Sequence, residues 1–447
     1  MQKTVLFIFP PPDNFKETRF GIPLGILYLS SQLKRNGYNV KLLDLNVEEY
    51  SLETLTKSLF DVDIVGISIP SYCLNNALRI IKELRQLKSD MPIATGGPDC
   101  ILFPRLVEGA DVTFVGEGED IIAEVFDNLL EGQDLSNCSG IIYKKHGGET
   151  CEGRFLQVNC NLDAIAFPDR SILSEHVEFG KTVIRSSKLP KSTQIITSRG
   201  CPMHCRFCAR HALSYTTYRE RSVENVLQEI KQIAEQGYKM LWISDDNFAA
   251  NIPRAIEILD GIIKMKLNIS MAFSGWVKAA NEELYKKAKD AGVRIISFGL
   301  ESGTQEVLDF YNKKITLDQS RYAVELADSV GLYTVGNFIF GAPIENEEHI
   351  KKTLQFAKEL PLDTVNFKIL GYMAGSDLWY EYVNSGIINK DERNVFADKK
   401  RGLSNFTLDE LKEIVKNACD EFRNNKEREK RLKTKIAKYG LPYEIYS

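Results

Sequence analysis

The segment Arg199-Gly200-Cys201-Pro-Met-His-Cys205-Arg-Phe-Cys208 places three cysteines in a C-x3-C-x2-C spacing. This spacing brings three thiolates into one small volume. Iron–sulfur clusters normally take four cysteine ligands, and no fourth cysteine stands nearby. The segment therefore predicts a cluster with three cysteine ligands and one iron open to another ligand, where chemistry can take place.

Two other uses of these cysteines stay open. A structural zinc site needs four ligands, usually in two pairs, and His204 or His211 would have to complete it. A disulfide fits less well, because the chain has nine cysteines and the others are scattered singly. Small buried hydrophobic residues are the expected role of most of the others, which are Cys73, Cys100, Cys138, Cys151, Cys160 and Cys419.

The composition is that of a globular protein. The 447 residues are 43% hydrophobic and 26% charged, with a net charge of −4. General binding of nucleic acid or anionic membrane would call for a basic surplus. The basic run from Lys426 to Lys438 is expected to be a solvated helix face.

The N-terminal apolar run predicts a buried first strand. It stops at three prolines and is too short for a signal peptide or a membrane span. With no export signal and with unpaired cysteines, a reducing cytoplasm is the expected compartment. An exposed iron–sulfur cluster further favours an anaerobic or well-protected setting.

Short apolar strands alternate with amphipathic helices between Thr4 and Lys145. Strands are predicted at residues 4–9, 39–43, 64–69, 92–95 and 112–115, and helices near residues 25–36, 52–59 and 75–88. This α/β pattern predicts a doubly wound, Rossmann-like parallel sheet. Turn sequences follow the strand ends, and the crevice beyond the carboxyl ends of such a sheet is the usual ligand site.

A second α/β alternation follows a connector with small β elements. Its strands are predicted at residues 193–197, 240–244, 269–273, 294–299, 334–340 and 365–370. Reactive groups of α/β barrels lie at the carboxyl ends of strands, where this segment carries Ser244-Asp245-Asp246-Asn247, Phe298-Gly299-Leu300-Glu301 and Gly336-Asn-Phe-Ile-Phe-Gly341. Helix capping is the alternative role for residues 245–247, and a surface charge at a helix start is the alternative for Glu301.

The cysteine spacing, with an aromatic residue before the last cysteine, resembles the signature of radical S-adenosylmethionine (SAM) enzymes. The resemblance implies that Cys201, Cys205 and Cys208 hold a [4Fe–4S] cluster whose fourth iron is chelated by SAM. It also implies a partial (β/α)6 TIM barrel for the second alternation. The implied SAM contacts are Phe207 near the adenine, together with Asp245, Asp246, Asn247, Glu301 and Gly341.

The first alternation resembles the cobalamin-binding domain that precedes the radical SAM core in one subfamily. The resemblance is carried by residues 21–29, 37–44, 96–98 and 115–119. The implied cobalamin contacts are Pro12, Gly25, Ser68, Pro70, Tyr72, Gly96, Gly97, Pro98, Gly116, Glu117 and Gly118.

A histidine ligand to cobalt is not expected from this domain. The Asp-x-His-x-x-Gly motif of better-known cobalamin proteins is missing, and no histidine precedes His146. The lower face of cobalamin would then face the loop around residues 70–73. A degenerate domain that has lost the cofactor is the alternative.

These assignments divide the chain into four parts. They are a cobalamin-binding domain at residues 1–146, a connector at 147–191, the partial barrel at 192–384 and a helical C-terminal region at 385–447. A capped helix is predicted after Thr407, and the resemblance implies that this region closes over the barrel mouth. Further residues expected near a substrate are Lys368, Tyr372, Met373, Trp276 and Lys278.

The resemblance implies a cobalamin-dependent radical SAM methyltransferase that acts on an unactivated carbon. A 5′-deoxyadenosyl radical would remove a hydrogen from the substrate, and methylcobalamin would deliver the methyl group. The alternatives are cyclisation or carbon–carbon bond formation without methyl transfer, and a non-catalytic cobalamin or cluster carrier. A methylthiotransferase is disfavoured, because the first domain lacks the three-cysteine set of those enzymes.

Two kinds of partner follow from this activity. A low-potential electron donor such as ferredoxin or flavodoxin is expected. The substrate class stays open among small molecules, tetrapyrroles, lipids and protein or peptide side chains. Neither nucleic acid binding nor a membrane span is expected.

Overall fold

The computed structural model describes residues 2–13, 21–145, 147–156, 158–173 and 190–439. The chain divides into two compact units, Met1–Arg185 and Ser186–Ser447. His146 and residues 174–189 of the predicted connector lie outside the described residues. Among the described helices, none is long and apolar enough to cross a membrane.

A seven-stranded sheet forms the centre of the first unit. Its strands are β1 Thr4–Phe9, β2 Asn39–Asp44, β3 Ile64–Ser68, β4 Ile93–Gly96, β5 Val112–Phe114, β6 Ile141–Lys144 and β7 Thr150–Glu152. They lie in the order β2-β1-β3-β4-β5-β6-β7. The first five are parallel, and β6 and β7 add an antiparallel edge. The sheet therefore runs beyond residue 146, where the sequence placed the end of the domain.

Helices cover both faces of this sheet, as the sequence predicted. They are α1 Leu24–Arg35, α2 Leu52–Ser58, α3 Leu74–Leu87, α4 Pro98–Leu102 and α5 Ile122–Glu131. Alternate residues of β1 enter different cores: Leu6 and Ile8 pack with α2 and α3, whereas Val5 and Phe7 pack with α1 and α5. This period of two produces the doubly wound arrangement.

Six parallel strands form the main sheet of the second unit. They are β8 Ser192–Ile195, β11 Met240–Ile243, β12 Ser270–Gly275, β13 Val293–Glu301, β14 Tyr333–Phe340 and β15 Thr364–Ile369. Each pairs with the next along the chain, and in the described part of the chain β8 and β15 have no further partner in this sheet. The predicted partial barrel is therefore confirmed. Two short ribbons join β9 Ser198–Arg199 to β10 Arg219–Glu220 and β16 Gly371–Met373 to β17 Asn394–Phe396.

Ten α-helices are described in the second unit. They are α6 Arg210–Leu213, α7 Val223–Glu235, α8 Ile252–Met265, α9 Glu282–Asp290, α10 Gln305–Phe310, α11 Leu317–Ser329, α12 Glu347–Glu359, α13 Asp377–Asn384, α14 Leu408–Arg423 and α15 Lys426–Tyr439. Phe298, Phe338 and Phe340 are fully buried on one face of their strands. Asn337 and Ile339 lie on the opposite face and are partly exposed. In such a barrel the helices cover the outer face, so Asn337 and Ile339 face the interior.

The C-terminal region contains one confirmed prediction and one wrong one. Thr407 caps α14 in a reciprocal capping box with Glu410, as expected. The basic helix α15, however, is not only a solvated face. Lys435 is 5% exposed, and its ammonium lies 2.5 Å from Oδ2 of Asp363, which is fully buried. The helix is held to the unit by a buried charge pair, which a composition argument does not reveal.

Candidate active site

The segment of residues 201–208, here called the cluster loop, leaves the barrel after β9 and ends before α6. Gly200 precedes it with a φ of +86°, and a Cβ there would lie 2.0 Å from the carbonyl oxygen of Thr217. Only glycine fits such a close approach at a positive φ. The sharp turn at Gly200 therefore starts the loop.

Backbone groups of two other segments hold the middle of the cluster loop. The amide of Arg206 donates to the carbonyl of Tyr311 at 3.0 Å, and its carbonyl accepts from the amide of Leu378 at 2.9 Å. The side chain amide of Asn312 donates to the carbonyl of His204 at 2.7 Å. The Arg206 guanidinium also donates to the carbonyl of Phe310. The loop is thus fixed by residues that are far from it in sequence.

All three cysteines of the loop are sheltered from solvent. Cys205 is buried, and Cys201 and Cys208 are partly buried. Burial raises the pKa of Cys205 to about 11, and the positive charge of Lys313 opposes that rise. Iron would have to displace the proton from each thiol, which couples metal binding to pH. Three sheltered thiols on one fixed loop fit the ligand set of a cluster that keeps one iron open.

The zinc alternative finds no support in the described residues. No group of three or more His, Cys, Asp and Glu side chains among them is placed to hold a metal ion. Nε2 of His211 lies 3.4 Å from Oδ1 of Asp377 instead. A cluster differs from a single ion, because each thiolate binds a different iron and the three sulfur atoms need not converge on one point.

Asp245 has a structural task at the start of the cluster loop. Its Oδ1 accepts from the amide of Thr197 at 2.6 Å, and its Oδ2 accepts from the hydroxyls of Thr197 at 2.5 Å and Ser198 at 2.7 Å. Burial raises the pKa of Asp245, and these hydrogen bonds act against the rise. Arg254 donates to the carbonyl of Thr197 at 2.7 Å. Both Asp245 oxygens are thus occupied by the chain itself.

The next two residues are better placed for a ligand. The Asp246 side chain is 20% exposed and lies 3.2 Å from the guanidinium of Arg210. Asn247 is buried, and its Oδ1 has no hydrogen-bond partner among the described residues. A buried acceptor without a donor is costly. A bound ligand that donates a hydrogen bond to Asn247 would relieve that cost.

Glu301 ends β13 in a left-handed conformation, with φ of 62°. The register of β13 against β14 shifts between Gly299 and Glu301, at the carboxyl end of the strand. Oε1 of Glu301 lies 2.6 Å from the ammonium of Lys313. Left-handed residues other than glycine are strained by about 1–2 kcal/mol, and such strain is common at functional sites.

Phe207 lies beside this ion pair. Its ring meets the ring of Tyr311 edge to face at a centroid distance of 5.2 Å. The ammonium of Lys313 lies 5.9 Å from the Phe207 centroid. The structure therefore brings together three predicted elements, namely the cysteines, Phe207 and Glu301, around a lysine that the sequence did not single out.

Gly341 lies in the turn after β14. The space beside its Cα is filled by residues of the C-terminal region and not left open for a ligand. Gly341 has a φ of +107°, and a Cβ there would lie 2.8 Å from Cβ of Ala397 and 3.0 Å from Cδ1 of Leu411. The amides of Gly341 and Ala342 donate to Oε2 of Glu345 at 2.6 and 2.7 Å. Packing against the C-terminal region therefore accounts for the glycine, and only its backbone is available to a ligand.

The residues that the sequence analysis expects near a substrate differ in their exposure. Tyr372 is fully buried, and its hydroxyl donates to the carbonyl of Leu403 at 2.6 Å, so its expected substrate contact is wrong. Met373 is 37% exposed in the ribbon after β15. Lys368 is exposed within β15, and Trp276 and Lys278 follow β12.

In the first unit, the loops that follow β1, β3 and β4 are tied together. The amide of Asp13 donates to the carbonyl of Tyr72 at 2.8 Å, and the Asp13 carboxylate accepts from the first amides of α3. The amide of Ile69 donates to the carbonyl of Gly96 at 2.7 Å. These contacts join the loops at the carboxyl ends of the strands into one surface, here called the ledge, which contains Asp13, Ile69, Tyr72 and Gly96. β2 and β3 flank β1 on opposite sides, which is the topological switch point of the sheet.

The predicted cobalamin contacts lie on or beside this ledge. Gly97 has a φ of +105°, and a Cβ there would lie 2.9 Å from the amide nitrogen of Ile69. Gly25 is exposed at the start of α1, and a Cβ added there would have no atom within 4 Å. The remaining contacts follow strand ends: Pro12 after β1, Ser68, Pro70 and Tyr72 at the end of β3 and beyond, Gly96 and Pro98 around Gly97, and Gly116, Glu117 and Gly118 after β5. Ser68, Gly96, Gly97 and Gly116 are partly exposed and small, which suits a large flat ligand, whereas Pro70 and Gly118 are buried.

Comparisons with known proteins agree with both units. The Radical SAM superfamily profile matches residues 195–357, and the B12 binding domain profile matches residues 18–126. An uncharacterized methyltransferase of Pyrococcus horikoshii is 30% identical over 436 residues, covering 94% of this chain and 92% of that protein. An anaerobic magnesium-protoporphyrin IX monomethyl ester cyclase of Rubrivivax gelatinosus is 26% identical, covering 80% and 66%.

A solved structure has the same fold. The radical SAM methyltransferase TsrM of Kitasatospora setae, with cobalamin and a [4Fe–4S] cluster bound, superimposes with a TM-score of 0.74 at 20% identity. The match covers 86% of this chain and 78% of that one. At this identity the similarity shows the fold alone.

Asp245→Ala is expected to at least halve the iron bound per chain after anaerobic reconstitution. The substitution removes three buried hydrogen bonds at the start of the cluster loop and leaves a buried amide without an acceptor, at about 1–3 kcal/mol. Asp246→Ala is the matched control, because it removes only a partly exposed ion pair. Iron and sulfide analysis decides between them, and equal loading in both variants would contradict the anchoring role of Asp245.

Glu345→Gln is expected to change how stability depends on pH. Burial raises the pKa of Glu345 to about 7 from 4.5. The native state therefore favours the protonated acid, and its stabilising effect is complete below pH 4.5 and is lost as the pH rises through 7. Relative to the wild type, the amide variant should gain up to about 3 kcal/mol of unfolding free energy between pH 5 and pH 8.

Thermal or urea unfolding at the two pH values measures this difference. Glu347→Gln serves as the control, since Glu347 stands two residues later, at the start of α12, with its side chain 81% exposed. A difference between wild type and Glu345→Gln that is the same at both pH values would contradict the raised pKa.

Proposed function

The chain belongs to the radical SAM superfamily, in the group that also carries a B12 binding domain, and from this we propose a cobalamin-dependent methyltransferase that acts on an unactivated carbon. The observation that carries the proposal is the presence of both family profiles on one chain that is similar over 94% of its length to a protein named a methyltransferase. Such cofactors supply a SAM-derived radical and a transferable methyl group, and the protein residues hold and shield them.

We assign the cluster to Cys201, Cys205 and Cys208. The cluster loop fits this task because its turn, its middle and its entry are each fixed by hydrogen bonds. Sheltered thiols also limit the access of water and oxygen to iron. The protein's part would be to hold the three sulfur positions fixed and to leave one iron of a bound cluster without a cysteine ligand.

SAM carries cationic groups, and we assign their recognition to Asp246, Asn247 and Glu301. Asp246 and Glu301 are acidic, and Asn247 offers a buried oxygen without a partner among the described residues. Asp245 supports these residues and does not itself have a free oxygen. Phe207 would lie against the adenine, and Gly341 would contribute backbone contacts only.

We assign cobalamin to the ledge of the first unit. Its tied loops present backbone and small side chains at the switch point, which favours a rigid site that needs little ordering on binding. No histidine precedes His146 in the chain, so no histidine of this segment would ligate cobalt, and the loop around Pro70 and Tyr72 would help to hold the cofactor.

A second candidate is a cyclase that uses the same radical without methyl transfer. The 26% identity to an anaerobic magnesium-protoporphyrin IX monomethyl ester cyclase supports this second candidate. A carrier without catalysis is the third candidate. We further propose a reducing cytoplasmic setting, in which nine unpaired cysteines persist, and a low-potential ferredoxin or flavodoxin as electron donor.

Anaerobic reconstitution of the full chain with iron, sulfide, cobalamin, SAM and a low-potential reductant tests the proposal. The methyltransferase should form both methylcobalamin, seen in the visible spectrum, and 5′-deoxyadenosine, seen by mass spectrometry. Formation of 5′-deoxyadenosine with no methylcobalamin would favour the cyclase type of reaction. Binding of both cofactors with no 5′-deoxyadenosine would favour the carrier.

Gly97→Ala is expected to reduce cobalamin binding at least tenfold while leaving iron content unchanged. The added Cβ would strain a backbone at positive φ and push against Ile69 in the ledge. Gly132→Ala is the matched control, because Gly132 also has a positive φ, at +66°, but no atom near its Cβ position. Titration with cobalamin measures the affinity, and equal affinity in both variants would argue against the ledge as the site.

A further inference from the structure

Lys313 is a largely buried cation at the cluster loop that none of the preceding assignments uses. Its side chain is 14% exposed, and its ammonium lies 2.6 Å from Oε1 of Glu301, whose side chain is 7% exposed. The same ammonium lies 5.9 Å from the Phe207 ring centroid. Phe207 stands directly before Cys208, so the ion pair lies beside the cluster ligands.

The chain is shaped to hold Lys313 in this position. Asn312 and Lys314 flank it with φ values of 52° and 57°, a left-handed conformation that costs ordinary residues free energy. Asn312 also donates to the carbonyl of His204. A Cβ on Gly299 would lie 2.9 Å from Nζ of Lys313 and 2.4 Å from Oε1 of Glu301. The absence of a side chain at Gly299 therefore leaves room for the pair.

The segment that carries Lys313 is bonded directly to the cluster loop. The carbonyl of Tyr311 accepts from the amide of Arg206 at 3.0 Å, and the side chain of Asn312 donates to the carbonyl of His204 at 2.7 Å. The ammonium of Lys313 is thereby held beside the loop that carries all three cysteines. Charges in a sheltered site interact more strongly than in water, so a fixed cation here acts on any negative charge that the cysteines carry.

We propose that the Lys313–Glu301 pair sets the reduction potential of the cluster, with Lys313 favouring the reduced state and Glu301 offsetting part of that effect. The inference rests on the proposed cluster at Cys201, Cys205 and Cys208. When an external reductant adds one electron, the cluster becomes one unit more negative and no bond is broken. A nearby cation stabilises the product of that step more than the reactant, and a nearby anion does the opposite. Lys313 and Glu301 are positioning residues in this role.

A redox titration followed by electron paramagnetic resonance (EPR) of the reconstituted full chain, without SAM, tests the proposal. At the potential where half of the wild-type cluster is reduced, Lys313→Met should lower the ratio of reduced to oxidised cluster about tenfold, equivalent to about 59 mV for one electron. Glu301→Gln should raise that ratio. The double variant should return towards the wild type, because both charges are gone.

Two further variants separate charge from structure. Lys313→Arg keeps the charge and should stay close to the wild-type potential. Lys314→Met removes the exposed neighbouring lysine and should change nothing. A purely structural role predicts loss of iron in both single variants and no shift of opposite sign.

The outcomes separate this inference from the proposed function. No EPR signal and no iron in the wild type would contradict the cluster itself. A normal cluster with the same potential in wild type, Lys313→Met and Glu301→Gln would overturn this inference alone. If Lys313→Met does not load iron, Glu301→Gln decides: an upward shift supports the proposal, and no shift or a downward shift overturns it.

Discussion

A buried carboxylate governs the point at which the chain leaves the barrel to form the cluster loop. Asp245 binds the amide and hydroxyl of Thr197 and the hydroxyl of Ser198, and Arg254 binds the carbonyl of Thr197. These bonds fix the direction in which the chain continues from β8. The cysteines follow directly, so their positions depend on this exit. Residues after α10 and at the start of α13 then fix the far side of the loop.

Three acidic residues near the carboxyl ends of the barrel strands are buried and bound by other groups of the chain. Asp245 follows β11, Glu301 ends β13 and Glu345 follows β14, and each is buried and bound to the chain itself. Burial of a charge is costly unless local partners compensate for it. Here the partners are amides, hydroxyls and one lysine. The site is therefore organised by internal contacts before a ligand binds, which limits the ordering cost of binding.

The strands, the helices and the partial barrel could be predicted because their apolar periodicity is local in sequence. The cysteine spacing is local too. Lys313, Glu345 and the burial of Tyr372 were missed because each is decided by contacts between distant segments. The sequence does offer one local hint beside Lys313, because Asn312 is a residue type that is enriched in left-handed turns after helices. The prediction that the basic run of α15 is a solvated face was wrong for the same reason, because the partners of Lys435 lie on α11 and just before β15.

Gly299 carries a consequence for how this chain can change over evolutionary time. A side chain there would meet the ends of Glu301 and Lys313, which are flexible, and not the backbone. A larger residue in place of Gly299 would therefore leave the fold intact but push the charged groups of Glu301 and Lys313 apart. Variation at Gly299 becomes tolerable only in a lineage that has already altered Lys313 or Glu301. A homologue with a side chain at the position of Gly299 is therefore expected to differ at Lys313 or Glu301 as well.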